Sequence, residues 1–101
     1  MGILSALFGN KPKVDLGELI ANGAQIIDVR TPQEYKTGHI KGSKNFPLNK
    51  LNNQMGKIKK DKPIITCCAS GMRSGSAKIM LAKAGFDAHN GGGWTNLKKY
   101  L

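Results

Sequence analysis

Arginine is nearly missing from a strongly basic chain. Sixteen of the 101 residues are Lys or Arg against six Asp or Glu, a formal charge of +10, yet only Arg30 and Arg73 are arginines. Such a balance points first to nucleic acid. The lysines, however, are spread over the whole length, and aromatics make up only 6%. The guanidinium forks that read phosphates and bases, and the rings that stack on them, are therefore both scarce. No nucleic-acid partner is expected, and the charge is read as solubility plus attraction of small anions. Cysteine is equally scarce. Cys67 and Cys68 are the only two, adjacent in sequence, so they build no disulfide framework and suit a reducing compartment, the cytoplasm. Adjacent cysteines also lack the spacing of a structural zinc site, so no metal and no cofactor are expected. No apolar run approaches the about 20 residues needed to cross a bilayer, so no membrane partner is expected either.

The first residues, MGILSALFGN, lack the basic flank and long apolar stretch of a secretion signal. Ala6 stands where a myristoylation motif needs Ser or Thr. Residues 1–12 are read as a short N-terminal apolar segment, one helical turn packing Ile3, Leu4, Leu7 and Phe8. Residues 13–101 are read as a single domain.

Within that domain, strand and helix signals alternate. Leu16, Leu19 and Ile20 mark a short amphipathic helix over 14–21 that Gly23 stops. Gln25 to Val29 and Ile64 to Cys67 are short apolar runs suited to buried strands. Thr31, Pro32 and Glu34 form a capping box with proline at the first helical position, opening a brief helix that ends at Gly38. Further strands are expected at 44–46 and 87–89, and helices at 47–55, 74–84 and 94–101, with Gly91 to Gly93 as a turn. The clearest helix carries Ala77, Met80, Leu81 and Ala84 on one face and is capped by Gly85. The basic stretch 57–62 is read as a solvated connector. The alternation implies an α/β fold of three layers, a parallel sheet with helices on both faces.

Ligands of such sheets bind at the carboxyl ends of the strands. The junction after the second apolar strand reads Cys67-Cys68-Ala69-Ser70-Gly71-Met72-Arg73-Ser74. A small glycine-containing loop there can turn its N–H groups inward as an anion nest. The following helix adds its positive end, and Arg73 adds a full charge. A cysteine at the start of that loop has its thiolate surrounded by donors, which makes it a nucleophile near neutral pH without a His or Asp partner.

These residues carry a family resemblance. Asp28-Val29-Arg30-Thr31-Pro32-Gln33-Glu34-Tyr35, Gly38-His39-Ile40, Gly42-Ser43 and Asn45 resemble the first-half signature of rhodanese domains. Cys68 to Ser74 is similar to their active-site loop, and Gly91-Gly92-Gly93-Trp94 to their C-terminal turn. The match runs from about Val14 to Leu101. The resemblance implies a three-layer fold with a parallel sheet of about five strands and a ping-pong sulfurtransferase. In that reaction a cysteine thiolate takes the outer sulfur of a donor such as thiosulfate, becomes a persulfide, and passes the sulfur to a thiophilic acceptor. It also suggests that Asp28, Arg30 and Glu34 brace the active loop, with Ala69, Ser70, Gly71, Met72 and Ser74 lining the substrate.

The doubled cysteine leaves two loop lengths. Cys68 to Arg73 spans six residues, the length of sulfur-transferring rhodaneses, whereas Cys67 to Arg73 spans seven, that of related phosphatases. Gly71 at the family's loop glycine, Cys67 continuing the apolar strand, and Thr66 where the phosphatases have His all favour Cys68 as nucleophile. Cys67 is then strand core or a resolving thiol. His39 is read as scaffolding or a general base, His89 as a surface residue, and Trp94 as core or pocket wall. Ala69 stands where many rhodaneses carry Arg or another polar residue, and Met72 brings an apolar side chain to the mouth. A glutathione or protein persulfide or a polysulfide is thus as good a donor as a small sulfur anion, and a protein can serve as sulfur acceptor. Two further readings stand beside the sulfurtransferase: a regulatory or interaction module that carries the persulfide without turnover, and a phosphatase or arsenate reductase using Cys67.

Overall fold

The two apolar β-branched runs lie side by side at the centre of a parallel sheet in the computed structural model, which describes residues 14–101. The helical turn expected around Ile3, Leu4, Leu7 and Phe8 falls outside the described residues. Strand β1 (Gln25–Asp28) runs parallel to β3 (Ile64–Cys68), with Gln25 opposite Ile64 and Asp28 opposite Cys67. Strand β2 (Lys44–Asn45) flanks β1, and β4 (Ala88–Gly93) flanks β3, giving the order β2-β1-β3-β4. The resemblance implies about five strands. The residue pattern alone supplies four strand-forming runs, and four is the number among the described residues.

Alternation along β3 decides which side chains share a face. Ile65 and Cys67 point to one side, where they pack with Ile26, Ile40 and Leu97. That side is covered by α1 (Leu16–Ala21), through Leu16, Leu19 and Ile20, and by α5 (Trp94–Leu97). Ile64 and Cys68 point to the other side, with Ile27, Val29, Leu51, Ala77 and Leu81. There the cover is α4 (Met72–Lys83) and α3 (Leu51–Gln54). Two helical layers thus enclose the sheet, and the adjacent cysteines belong to opposite halves of the core.

Several element boundaries differ from the sequence reading, each for a physical reason. The helix expected over 47–55 breaks into a 3-10 turn at Leu48–Lys50, α3, and a second 3-10 turn at Met55–Lys57. Its asparagines, Asn49, Asn52 and Asn53, are poor interior helix formers because their amides compete for backbone groups. The last helix is likewise α5 followed by a 3-10 turn at Lys98–Tyr100. The capping box stands as read: α2 (Pro32–Thr37) starts with Thr31 and Glu34 exchanging side-chain and backbone hydrogen bonds.

The glycines at 91–93 are strand rather than turn. The register between β3 and β4 slips at this point, with Thr66 opposite Asn90 but Cys68 opposite Gly93. One extra residue is thereby accommodated as a bulge beside the loop. Gly91 is there for space, not for flexibility. A Cβ at that position would sit 2.6 Å from Ile65 Cγ2 and 2.8 Å from the Thr66 carbonyl oxygen. Gly91→Ala is therefore expected to destabilise the fold by about 1–3 kcal/mol, as overpacking of a tight contact does. Gly56→Ala, whose Cβ would meet nothing within 4 Å, is the control and stays within about 0.5 kcal/mol of the parent. Thermal or urea denaturation of the two variants checks the difference.

Candidate active site

The C-terminal end of β3 delivers Cys68 directly beneath the first turn of α4. Ala69, Ser70 and Gly71 make the connection, and the helix starts at Met72, two residues before the expected Ser74. Gly71 is its N-cap, at a left-handed φ of +104° that a side chain would strain. Glycine brings no capping side chain of its own to this helix. Its role is taken by sulfur: the Gly71 N–H lies 3.0 Å from Cys68 Sγ and the Ser74 N–H 3.4 Å. Ser74 Oγ is also 3.4 Å from Sγ, and both Cys68 and Ser74 are wholly buried. Burial alone pushes the Cys68 thiol up. The Ser74 hydroxyl and the amides of Ser74, Gly71 and Ser70 outweigh it, and the net shift is downward from the ordinary thiol value. The loop thus stabilises a thiolate chiefly with dipoles, and the Arg73 charge interacts with the same sulfur. Ala69, Ser70 and Met72 form its rim, and Met72 is 81% exposed.

Arg73 turns away from a free role at the loop. Its Nη1 and Nη2 donate to the two carboxylate oxygens of Glu34, at 2.7 and 3.0 Å. The full charge that the sequence assigns to the anion site is therefore shared with a carboxylate from α2. Arg73 holds the Glu34 carboxyl down at about 2, with help from the Thr31 backbone. The same Glu34 oxygen closes the capping box of α2, so one side chain joins that helix to α4.

Asp28 and Arg30, at the end of β1, form a second and deeper pair. Arg30 Nε is 3.0 Å from both Asp28 oxygens and Nη2 is 2.7 Å from Oδ2, with both side chains buried. The remaining guanidinium donors reach the carbonyls of Glu34 and Gly38, and the guanidinium sits 4.6 Å over the Trp94 ring. Cys67 belongs to this side of the sheet. Burial, with Asp28 nearby, pushes its thiol up to about 12, so it stays protonated at neutral pH, whereas its neighbour is shifted in the opposite direction.

The remaining marked residues fall into simple roles. His39 stacks on Tyr35 at 3.7 Å, and its Nδ1 lies 2.8 Å from the Tyr35 carbonyl, away from the sulfur's hydrogen bonds. His89 pairs with Asp87 at 2.8 Å. Among the described residues no cluster of His, Cys, Asp and Glu is arranged to hold a metal ion, and no helix is long and apolar enough to cross a membrane. A cleft of about 310 Å³ opens beside Arg73, lined by Val29, Thr31, Pro47, Leu48 and Asn49. One polar residue at the site was not singled out from the sequence. Asn90, on β4, reaches Ser74, Gly71 and Gly92 with its side-chain amide. Its only signal in the sequence is an amide at the end of a strand, just before three glycines.

A parallel sheet wrapped by helices places a cysteine under a helix N-terminus at the end of a central strand, and comparison with known proteins is specific. The family profile described as the Rhodanese-like domain matches residues 13–99. The chain belongs to the rhodanese-like domain family. It is 45% identical over 62 residues to the uncharacterized protein YqhL of Bacillus subtilis, covering 61% of this chain and 49% of that one. It is 39% identical over 69 residues to the thiosulfate sulfurtransferase GlpE of Ectopseudomonas mendocina, covering 68% and 63%. The match thus spans only about half to three fifths of these relatives' own length. Among solved structures, a rhodanese-related protein from Thermoplasma volcanium superposes with a TM-score of 0.73 at 27% identity, over 86% of this chain and 91% of that one.

The Glu34–Arg73 pair has a pH signature. Glu34 has a folded value of about 2 against an ordinary 4.5, so the fold binds that proton less readily than the unfolded chain. The stabilisation is complete above about pH 4.5 and is lost as pH falls towards 2. Glu34→Gln is expected to lower the melting temperature modestly at neutral pH, since the pair is about a third exposed. Its melting curves should converge with those of the parent between pH 4.5 and 2, as thermal scans across that window would register.

Proposed function

We propose that the protein is a sulfurtransferase that moves a sulfane sulfur through a persulfide on Cys68. The observation that carries this reading is the convergence of the Gly71 and Ser74 amides and the Ser74 hydroxyl on one buried sulfur, at distances of 3.0 to 3.4 Å. In the first half-reaction the Cys68 thiolate attacks the outer sulfur of the donor. A new S–S bond forms, the donor's S–S bond breaks, and its electron pair leaves with sulfite or with a thiolate. In the second, an acceptor nucleophile takes the terminal sulfur and Sγ departs as thiolate. The same donors then serve twice, favouring ionised Sγ as nucleophile and again as leaving group. Glu34 positions Arg73, and the Asp28–Arg30 pair fixes the strand end beside the loop. A reducing compartment such as the cytoplasm keeps this thiol available.

The family fixes neither donor nor acceptor. The rim offers Ala69, Ser70 and exposed Met72, and Arg73 is occupied by Glu34, which favours a thiol-borne persulfide or polysulfide over a small dianion. The exposed Met72 also supports a second reading, in which a protein docks at the loop and the persulfide is handed over without free turnover. The geometry lends no support to phosphoryl or arsenate chemistry on Cys67, whose side chain lies on the opposite face of the sheet, or to Cys67 as a resolving thiol.

Intact-protein mass measurement after treatment with polysulfide or thiosulfate tests the reading. The parent and Cys67→Ser should gain the mass of one sulfur atom, and Cys68→Ser should gain none. Adduct on Cys67 alone would overturn the assignment. Turnover of thiosulfate with cyanide then separates an enzyme from a carrier that loads once and stops, and absence of aryl phosphate hydrolysis is expected throughout.

A further inference from the structure

Ser74 has a single hydroxyl proton and two acceptors waiting for it. On one side is Cys68 Sγ at 3.4 Å; on the other is Asn90 Oδ1 at 2.7 Å. The orientation of the Asn90 amide is fixed by two backbone partners. Its Oδ1 accepts from the Gly92 N–H at 2.9 Å, and its Nδ2 donates to the Gly71 carbonyl at 3.2 Å. A flipped amide would set N–H against N–H at Gly92 and oxygen against oxygen at Gly71. Asn90 therefore accepts from the Ser74 hydroxyl and does not donate to it. The serine is also held in place, since it is wholly buried and its carbonyl accepts from the Thr66 hydroxyl at 2.8 Å.

We propose that Asn90 is a positioning residue that competes with Cys68 for the Ser74 hydroxyl proton, and so sets how much of that donor the active-site sulfur receives. With Cys68 protonated, the S–H donates to Ser74 Oγ and the serine proton points to Asn90, so every group is paired. When the sulfur ionises, the serine proton turns to Sγ. Two oxygens 2.7 Å apart are then left without a proton between them, a cost that falls on the thiolate state. Asn90 Oδ1 keeps the Gly92 N–H, which makes the exchange tolerable and reversible. The amide thus gives the serine proton a resting place whenever Sγ carries no charge, and it withholds part of the donor when Sγ does. No other acceptor from β4 reaches this hydroxyl among the hydrogen bonds of the described residues.

The surrounding charges do not imitate this behaviour. Arg73 is tied to Glu34, and Arg30 to Asp28 across the sheet with Cys67 beside them. On the outer side of Asn90 lie Lys78 and His89, the latter paired with Asp87. All of these stay in place when residue 90 is changed.

Asn90 is exposed, so shortening it removes no core packing. The proposal concerns the ionisation of Cys68 and does not depend on which group that sulfur transfers. Its test is a double-mutant cycle of Asn90→Ala and Ser74→Ala, read as the pH midpoint of Cys68 alkylation by iodoacetamide in a Cys67→Ser background. Ser74→Ala alone should raise the midpoint. Asn90→Ala does three things: it frees the serine proton for sulfur, it releases the Gly71 carbonyl, and it releases the Gly92 N–H, and only the first needs Ser74. Relative to its effect in Ser74→Ala, Asn90→Ala in the parent should therefore lower the midpoint, raising the thiolate fraction below it by about three- to tenfold, the range of one hydrogen bond. Asn90→Asp is the second variant, since its carboxylate accepts the same proton more strongly. It should raise the midpoint, and by less once Ser74 is gone. Equal shifts with and without Ser74, for both variants, would overturn the proposal while leaving the sulfurtransferase reading intact. Failure of Cys68 to take up sulfur in the mass measurement would overturn the sulfurtransferase reading and leave this proposal standing on the cycle.

Discussion

An α-helix of twelve residues begins at Met72 with its first amides unpaired, and the sulfur of Cys68 is what those amides find. The open donors of a helix N-terminus are a general problem, usually solved by a serine, threonine or aspartate side chain. Here the capping acceptor comes from the preceding strand. One contact therefore caps the helix and favours a thiolate, since the donors that need an acceptor are those that stabilise negative charge on sulfur. It also constrains the loop. Only three residues separate Cys68 from Met72, one of them must take a left-handed φ, and Gly71 does so. The shortness of the connection keeps the sulfur under the helix end rather than beside it.

The loop is held against the rest of the molecule by charges that are satisfied elsewhere. The buried Asp28–Arg30 pair would be costly on its own, because two ions leave water. Arg30, however, spends its donors on both Asp28 oxygens and on the carbonyls of Glu34 and Gly38, and Asp28 also accepts from the Arg30 amide. The pair thus fixes the end of β1 relative to both ends of α2. From α2, Glu34 reaches across to Arg73 in the first turn of α4. A continuous line of hydrogen bonds runs from the sheet through one helix to the turn that holds the sulfur. The two arginines of the chain are both used in this line, where a planar fork with several fixed donors is required. The lysines among the described residues, flexible point charges, are exposed or half-exposed.

Much of this was legible in the residues, and the gaps have identifiable causes. The apolar runs around Ile26 and Ile65 mark buried parallel strands because they are short, β-branched and unbroken by polar residues. The capping box at Thr31 and Glu34 is a local motif, and local motifs survive folding unchanged. Residue pattern places the start of α4 at Ser74, two residues late, because the acceptor at its N-terminus is a sulfur and no propensity rule names cysteine as a cap. The glycines at 91–93 look like a turn in sequence. They form strand because Ile65 and the Thr66 carbonyl press against the backbone of Gly91, a tertiary requirement that local pattern does not carry. That Glu34 braces the loop is implied by the family resemblance, but a sequence separation of thirty-nine residues does not announce that its partner is Arg73, which the residue pattern alone gives as a full charge at the loop. Asn90 was missed for the same reason. Its three partners are distant or backbone groups, and a lone asparagine before glycines has a simpler meaning as a turn residue.

Charge acts on two length scales in this molecule, and the two point in different directions. The lysines give a net +10, a field that draws anions of every kind towards the surface and weakens as salt shortens the Debye length. At the loop itself the nearest guanidinium is already neutralised by Glu34, and the sulfur is solvated by dipoles. Dipoles fixed at 3.0 to 3.4 Å from one atom stabilise charge at that atom far better than charge an ångström or two further out. A dianion arriving at the mouth gains from the distant lysines but finds no free fork to grip it. A thiolate at the bottom gains from every donor in the loop. The arrangement therefore spends its local electrostatics on the protein's own sulfur and leaves an anion at the mouth to solvent. For the proposed sulfur transfer this is the useful division, because the charge to be stabilised at the start of one half-reaction and at the end of the other would sit on Cys68 Sγ.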